Sequence, residues 1–495
     1  MDRTQRMEQL NVALKDRGLI WFGPRGSDAL GLKLFTDNLG GAFSLYDRHF
    51  SFDEFHDSKY FISLEEMTLK RRLSRVFGED DESRAGEFKF AKRIDECFQS
   101  VIVQGRIPTV IAYEPHDVID TLIMQDGVAE YLGIGVEKFR DLSKKPRMEK
   151  HLRQVGVPLI PWMPVKSFQN IRDLHETYPS LIIRRDGGSS GKGIVSLRRS
   201  DDIDEIERVV HEMKGSLSAA VSVAPLFEGA ISLNASAVVF APKSKTGKPN
   251  VSTFPINAQL VGQPELTSLE FGYSGNDFAF AAGLDNEILR ECDAILHKVG
   301  EFLGSNGYVG AFGVDFILTQ EGKVLFTEVN PRFQGSTRLL TRIAGRAGQA
   351  DVLMEHMAAT LGLPFEKSLD APAWADVTNP FSQMYLHNTT GHPVRLVDET
   401  VVDDEANRDN INAPVTKHVE YEMMPDSEDI RVDEGALLER IVVRGGVLSS
   451  DGRTLRDNAL KLLDPSIQRY EAADIHPIIG RGDDAPVVKQ FGFGY

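Results

Sequence analysis

The first 140 or so residues alternate short apolar runs with amphipathic stretches. Gly18–Gly23 (GLIWFG) and Thr109–Pro115 (TVIAYEP) have the continuous apolar character of buried strands. A glycine turn that runs into a helix, PRGSDALGLKLF, follows the first strand, and a helical pattern through Ile123 follows the second. Strands that alternate with helices in this way favour an α/β domain with parallel strands.

The pattern restarts near Leu142–Pro146 (LSKKP). The segment MEKHLRQVG predicts a helix with a glycine stop, and the proline-punctuated VPLIPWMPV opens a new region. A short strand at 180–183 then leads into a glycine–serine loop and a second strand. The following segment, DDIDEIERVVHEMK, predicts an amphipathic helix with acids in its first turn, as the helix dipole prefers.

Residues 219–240 predict two further strands, AAVSVAPLF and ISLNASAVVF, and Asn286–Gly304 predicts a helix. The segment LLTRIAGRAGQADVLMEHMAATLGL is helical in pattern. After about Pro364 the composition becomes acidic and rich in turns, and we expect a separate C-terminal domain there.

Bulk composition narrows the class of protein. A chain of 495 residues holds roughly three or four domains. With 56 basic and 73 acidic residues, the net charge of −17 argues against nucleic acid or an anionic membrane as the main partner. Cys97 and Cys292 lie too far apart in the chain to indicate a zinc site or disulfide framework, and a reducing cytoplasm fits. The N-terminus lacks the apolar core of a signal peptide, and no apolar run is long enough to span a bilayer.

The most informative stretch is residues 310–337, GAFGVDFILTQEGKVLFTEVNPRFQGST. Two strand-like runs flank a turn at 321–323, and we expect the hairpin to bring Asp315 opposite Glu328. Half-buried acids without a partner are costly, and a divalent cation would offset that cost. Asn330 lies two residues after Glu328 and points the same way, so three oxygen ligands suited to Mg²⁺ converge. The alternative is a surface hairpin with an acidic rim; Arg332, placed where a substrate phosphate needs a counter-charge, favours the metal site.

Further elements with phosphate-binding character lie upstream. The loop at 186–193 (DGGSSGKG) offers backbone N–H groups and hydroxyls, but it fails the Walker A pattern and fits a hairpin lid better. An ordinary glycine-rich turn is the alternative. Lys145 begins a predicted helix and Arg184 ends the strand before the loop, so either could reach nucleotide phosphates. Taken alone, a lysine at a helix start is more often simply solvated, so neither residue by itself indicates a phosphate site.

In combination, these motifs resemble the ATP-grasp superfamily over roughly residues 140–360. The order matches: a lysine before Gly-Val-Pro, a strand with a basic residue, a glycine-rich lid, a hinge, and then D…E-x-N-x-R. The GPRGSDAL turn resembles the biotin carboxylase-like branch. The resemblance implies an α/β and α+β protein with an ATP-grasp fold. Its expected parts are a Rossmann-like N-terminal domain (1–141), subdomain A with the glycine-rich lid (142–229), subdomain B with the Mg/ATP site (230–365), and a C-terminal α+β domain (366–495).

The resemblance also implies roles for individual residues. Asp315, Glu328 and Asn330 would bind Mg²⁺ (or Mn²⁺), and Arg332 would face the acceptor carboxylate or its phosphorylated form. Lys145 would contact the α- or β-phosphate of ATP. The lid residues that would cover the β- and γ-phosphates are Gly188, Ser189, Ser190 and Gly191.

The hinge at 223–229 would line the adenine, with the N–H of Phe227 available to a ring nitrogen. Three departures from the family pattern stand out in this part of the chain. Arg184 replaces the usual lysine, Ala224 stands where a glutamate is common, and Pro225 lacks an N–H.

These features lead us to expect a cytoplasmic ATP-dependent carboxylate–amine ligase. It would join small molecules, such as amino acids, through an acyl phosphate, with release of ADP and phosphate. Two alternatives stay open: a bicarbonate-activating enzyme of the biotin carboxylase or carbamoyl phosphate type, and a nucleotide-binding regulator without catalysis. The expected partners are a small-molecule carboxylate and amine, without nucleic acid or membrane, and a homodimer is also open.

Overall fold

A parallel sheet forms the N-terminal region. The computed structural model describes residues 2–46, 60–64, 71–72, 81–117, 120, 129–165, 167–185, 193–214, 221–242, 244, 247–377, 381–397, 419–423 and 431–473. In chain order the first elements are α1 (Arg3–Ala13), β1 (Arg17–Arg25), a 3-10 helix (Gly26–Asn38), β2 (Leu39–Tyr46), β3 (Phe61–Ser63), β4 (Arg71–Arg72), α2 (Asp81–Val103), β5 (Ile107–Ala112), β6 (Glu130–Tyr131) and α3 (Val136–Leu142).

Strands of this region pair in the order β3-β2-β1-β5-β6, and every pairing is parallel. The expected parallel α/β arrangement is therefore confirmed. The helix expected after the first strand is the 3-10 helix. The helical pattern expected through Ile123 falls largely outside the described residues.

A small antiparallel sheet forms the next region. Its elements are α4 (Lys145–Gln154), β7 (Met163–Pro164), α5 (Phe168–Thr177), β8 (Ser180–Arg185), β9 (Ile194–Arg198), α6 (Ile203–Lys214) and β10 (Val221–Pro225). The strand order is β7-β10-β8-β9. Alternate residues of β8, Leu181 and Ile183, are fully buried in a core shared with Ile171 of α5 and Val210 of α6. The opposite face of β8 is therefore turned away from this core.

The large sheet carries the predicted acidic hairpin. Its first elements are β11 (Ile231–Phe240), β12 (Asn250–Thr253), β13 (Asn257–Val261), β14 (Tyr273–Asp277), α7 (Phe278–Ala282), α8 (Asn286–Ser305), β15 (Gly310–Leu318), β16 (Val324–Asn330), α9 (Thr337–Arg346) and α10 (Val352–Thr360). The single helical pattern expected at 339–363 is two helices. Gly348 adopts a positive φ of 66° between them, and the Asp351 carboxylate accepts the N–H groups of Leu353 and Met354 to begin α10.

Three of the C-terminal strands extend the large sheet, and the other three form a separate sheet with β4. The remaining elements are α11 (Ala371–Val377), β17 (Phe381–His387), β18 (Val394–Leu396), β19 (Val419–Met423), β20 (Arg431–Val432), β21 (Leu437–Arg444), α12 (Asp457–Leu460), α13 (Leu463–Gln468) and β22 (Tyr470–Ala472). β17 pairs with β14, which gives the order β16-β15-β11-β13-β14-β17-β21-β19, with β12 beside β11. The α/β and α+β fold class is confirmed, whereas the boundaries at 141, 229 and 365 stay predictions. Within the described residues, no helix is long and apolar enough to cross a membrane.

His356 of α10 links the N-terminal region to the large sheet. Its Nδ1 accepts the N–H of Ala311 at 3.0 Å, which leaves the ring proton on Nε2 for the carbonyl of Leu132 at 2.8 Å. Gly310 adopts a φ of +120°, and a Cβ there would lie 2.8 Å from the ring, so only glycine fits. Burial lowers the pKa of His356 to about 4.

We predict that this histidine makes stability depend on pH. The unfolded chain binds a proton at His356 below the ordinary pKa of about 6.5. The folded chain binds that proton only below about pH 4. As the pH is lowered through this range, the free energy of unfolding should decrease by on the order of 3 kcal/mol. The amide of the His356→Gln variant can both accept and donate a hydrogen bond, but it does not titrate. The decrease in the free energy of unfolding between pH 7 and pH 4.5, measured with denaturant, should therefore be smaller in this variant. An identical pH dependence in the two proteins would contradict the assignment.

Candidate functional site

A bulged hairpin brings the two predicted acids together. In the β15–β16 ladder, Asp315 pairs with Glu328 and Phe316 pairs with Phe326, so Thr327 is an extra residue on β16. Strict alternation would have placed Glu328 on the same face as the buried Phe326. The bulge reverses the phase and turns Glu328 toward Asp315, as bulges beside functional sites commonly do. The expected juxtaposition of the two carboxylates is present.

Asp315 lies at the centre of a hydrogen-bond network. Its Oδ1 accepts from Asn234 Nδ2 at 2.7 Å and from Gln259 Nε2 at 3.1 Å, and its Oδ2 accepts from Asn330 Nδ2 at 3.0 Å. Burial and the nearby charge of Glu328 nevertheless raise the pKa of the Asp315 carboxyl to about 6. Two acids in this arrangement repel each other, and a divalent cation bound between them would remove that repulsion.

Asn330 shares the face of Glu328, as expected, but its amide is turned. The Nδ2 group faces Asp315, while Oδ1 accepts from Arg332 Nη2 at 3.3 Å. Ligation of a cation by Asn330 therefore requires its amide to rotate, so that the oxygen replaces the nitrogen beside Asp315. Asp315 and Glu328 need no such change to offer oxygen atoms.

Arg332 is held by residues of the N-terminal region. Its Nε lies 3.2 Å from Glu114 Oε2, and its Nη1 donates to Tyr113 Oη at 3.3 Å and to the carbonyl of Phe333 at 3.0 Å. Burial raises the pKa of Glu114, and the charge of Arg332 opposes that rise. The sequence motifs did not include Tyr113 or Glu114, although both follow directly after the apolar run of β5, where a polar residue at a strand end is a usable signal.

A row of buried amides crosses the large sheet from the acidic hairpin. Asn257 Nδ2 donates to the Asn234 carbonyl at 3.0 Å, Asn276 Nδ2 donates to Asn257 Oδ1 at 2.7 Å, and Gln383 Nε2 donates to Asn276 Oδ1 at 2.7 Å. These residues lie on β11, β13, β14 and β17. Polar residues inside otherwise apolar strands were visible in the sequence, but their alignment depends on a strand order that the sequence does not reveal.

The amide row ends at a buried charged cluster. Gln383 Nε2 and Tyr385 Oη both donate to the carbonyl of Gly335, in the loop that follows β16. Arg440 Nη2 donates to Tyr385 Oη at 2.9 Å and lies 3.7 Å from the Asp28 carboxylate. Arg25 also pairs with Asp28, so the turn after β1 meets the C-terminal strands next to the Arg332 loop.

The expected nucleotide-binding residues are placed in part. Arg184 ends β8 and pairs with Glu149 of α4. Within the described chain, no acceptor takes the N–H of Phe227, whereas its carbonyl accepts from Ala230. That N–H is thus available to a ligand, as expected.

Five expected contacts are not described. Lys145 begins α4, but its side chain lies outside the described part of the chain. The lid residues also lie outside it: Gly188, Ser189, Ser190 and Gly191. Their roles stay predictions.

Comparisons with known proteins agree with this architecture. A family profile described as an ATP-grasp domain matches residues 142–336. Over 93 residues the chain is 36% identical to a formate-dependent phosphoribosylglycinamide formyltransferase of Ignicoccus hospitalis; the match covers 19% of this chain and only 21% of that protein.

Two solved structures are similar over nearly the whole chain. The biotin carboxylase domain of Hydrogenobacter thermophilus 2-oxoglutarate carboxylase, in complex with MgADP, ADP and bicarbonate, has a TM-score of 0.58 and 12% identity, and the match covers 92% of this chain and 90% of that one. N5-carboxyaminoimidazole synthetase of Staphylococcus aureus, complexed with ADP, has a TM-score of 0.53 and 13% identity, with 92% and 96% covered. At these identities the likeness concerns the fold. The profile match thus places an ATP-grasp domain at residues 142–336, and the fold of the whole chain is similar to that of these two enzymes.

Proposed function

We propose that the protein is an ATP- and Mg²⁺-dependent carboxylate–amine ligase that works through an acyl phosphate. The observation that carries this proposal is the half-buried Asp315–Glu328 pair, whose carboxylates could hold a cation next to the held guanidinium of Arg332. The ADP and MgADP bound by the two structural relatives support the choice of nucleotide and metal.

The residues of the hairpin suit the metal role. Asp315 and Glu328 supply carboxylate oxygens, and Asn330 supplies an amide oxygen after rotation; Mg²⁺ and Mn²⁺ both accept such ligands. The bound cation supplies positive charge to the phosphate chain during phosphoryl transfer. Phe227 offers its N–H to adenine, and Lys145, Arg184 and the lid residues 188–191 contact phosphates.

Arg332 binds the carboxylate of the acid substrate. Glu114 and Tyr113 fix its guanidinium, and a fixed fork binds a carboxylate with defined geometry. One oxygen of the substrate carboxylate attacks the γ-phosphorus of ATP, which breaks the bond to the β-phosphate bridging oxygen and yields acyl phosphate and ADP. The amine nitrogen then attacks the acyl carbon and phosphate leaves. The lid at 186–193 excludes water, which would otherwise hydrolyse the acyl phosphate.

Amino acids are the substrates that we favour. Three guanidiniums and two carboxylates lie on the side of the hairpin where Arg332 would bind the acid substrate. Such a mixture of charges suits zwitterions. The groups are Arg332 with Glu114, and Arg25 and Arg440 with Asp28.

Bicarbonate activation is the second candidate, because one structural relative was crystallised with bicarbonate. The two activities differ in what stimulates ATP turnover. ADP release that depends on bicarbonate alone supports the second candidate, and release that depends on an amino acid pair supports the ligase.

The acyl phosphate step makes a direct prediction. Once a screen of amino acid pairs for ADP release has identified a substrate, that acid is labelled with ¹⁸O in its carboxylate and incubated with ATP, Mg²⁺ and the amine. Because a carboxylate oxygen becomes the bridging oxygen of the acyl phosphate, one ¹⁸O should appear in each released phosphate, as measured by mass spectrometry. Unlabelled phosphate would rule out the intermediate.

The acidic hairpin should respond to substitution in two opposite directions. Asp315→Asn or Glu328→Gln removes a metal ligand, so Mg²⁺-dependent ADP release should fall by about 100-fold or more. Burial and the charge of Glu328 both raise the pKa of Asp315, so the free energy of unfolding of the ligand-free protein at pH 7 should increase. The increase should be on the order of 2 kcal/mol for Asp315→Asn and smaller for Glu328→Gln, which removes only the repulsion.

The matched control is Glu321→Gln, which removes an exposed acid from the turn of the same hairpin. It should alter neither quantity measurably. A substituted Asp315 or Glu328 that keeps full Mg²⁺-dependent turnover would contradict the assigned metal site.

A further inference from the structure

Arg184 faces away from the core of its own sheet. Its neighbours on β8, Leu181 and Ile183, point into the core formed with α5 and α6, so strand alternation directs Arg184 to the opposite face. That face looks toward α4, whose Met148 and Leu152 pack into the core of the large sheet. Arg184 therefore lies between the small sheet and the large sheet, and it is 5% exposed.

Two side chains hold the Arg184 guanidinium. Its Nη2 donates to Glu149 Oε1 at 2.6 Å, and both side chains are largely buried. The plane of Trp162 lies beneath the guanidinium, with 3.8 Å between Cζ and the ring centroid. A paired and stacked guanidinium loses most of its freedom to change direction.

Two donors in this arrangement lack an acceptor. Arg184 Nε and Trp162 Nε1 are both buried, and neither makes a hydrogen bond within the described structure. Buried N–H groups are normally satisfied, so two unsatisfied donors on stacked side chains indicate a missing acceptor. Because one donor is cationic, the acceptor that fits best is an anionic oxygen.

We propose that Glu149 and Trp162 are positioning residues that direct the Arg184 Nε–H, together with the Trp162 indole N–H, at the phosphate chain of the bound nucleotide. This inference rests on the proposed use of ATP. It also accounts for arginine where relatives have lysine. A lysine ammonium paired with Glu149 would be a single point charge, whereas the planar fork of arginine pairs, stacks and donates at the same time.

The test measures MgADP binding by isothermal titration calorimetry, with adenosine as the phosphate-free reference. Trp162→Ala, Glu149→Ala and Arg184→Lys should each weaken MgADP binding by about tenfold and leave adenosine affinity unchanged. Trp162→Phe keeps a stacking ring but loses the N–H, so it should lie between the wild type and Trp162→Ala. If the role of these residues were only structural, the substitutions would weaken the binding of MgADP and adenosine equally, or would lower only the melting temperature.

Arg172→Lys is the matched control. Arg172 also stacks on an aromatic ring, that of Phe168 at 5.3 Å, and pairs with Asp204, but on the exposed side of the small sheet. Its substitution should leave MgADP affinity unchanged. If Trp162→Ala or Glu149→Ala does not fold, Trp162→Phe and Glu149→Gln give the same comparison.

Two results overturn the inference. Unchanged MgADP affinity in the Trp162 and Glu149 variants would exclude the positioning role. Tighter MgADP binding by Glu149→Ala would show instead that Glu149 competes with phosphate for Arg184. In both cases the wild type still binds MgADP, so the ligase proposal stands. A wild type that binds no MgADP would instead overturn the proposed function together with this inference.

Discussion

The repulsion between two half-buried carboxylates is the constraint on which the site depends. Asp315 and Glu328 face each other only because Thr327 is an extra residue in β16, which reverses the alternation after Phe326. Uptake of a proton or binding of a cation relieves this repulsion. In the function that we propose, the bulge replaces regular pairing with a pair of metal ligands.

Distant parts of the chain converge on this hairpin. Tyr113 and Glu114, at the end of an N-terminal strand, hold Arg332, and a row of amides connects Asp315 to Gln383 on β17. The loop after β16 contacts the C-terminal strands through the carbonyl of Gly335. Because these contacts cross the sheet as far as β17, a shift of one strand would change the geometry at Asp315 and at Arg332 alike.

Local patterns in the sequence predicted the elements and the centre of the site. A two-residue spacing is enough to place Glu328 and Asn330 on one face, whereas their position opposite Asp315 depends on the bulge at Thr327, which alternation does not predict. Contacts of high sequence separation could not be obtained this way: Glu114 with Arg332, or Asp28 with Arg440, requires the strand order. For the same reason the pairing of β17 with β14 was not anticipated, and the break at Gly348 was hidden within a continuous helical pattern.

Anomalous diffraction from crystals of the protein with ADP and Mn²⁺ tests the central claim most directly. Mn²⁺ takes the same oxygen ligands as Mg²⁺ and scatters anomalously, so its peak can be told apart from that of a water or a lighter cation. A manganese peak within bonding distance of carboxylate oxygens of both Asp315 and Glu328 is the predicted result. The account would be contradicted by a nucleotide-bound manganese ion that lies away from this pair. It would also be contradicted if the two carboxylates pointed apart with no ion between them.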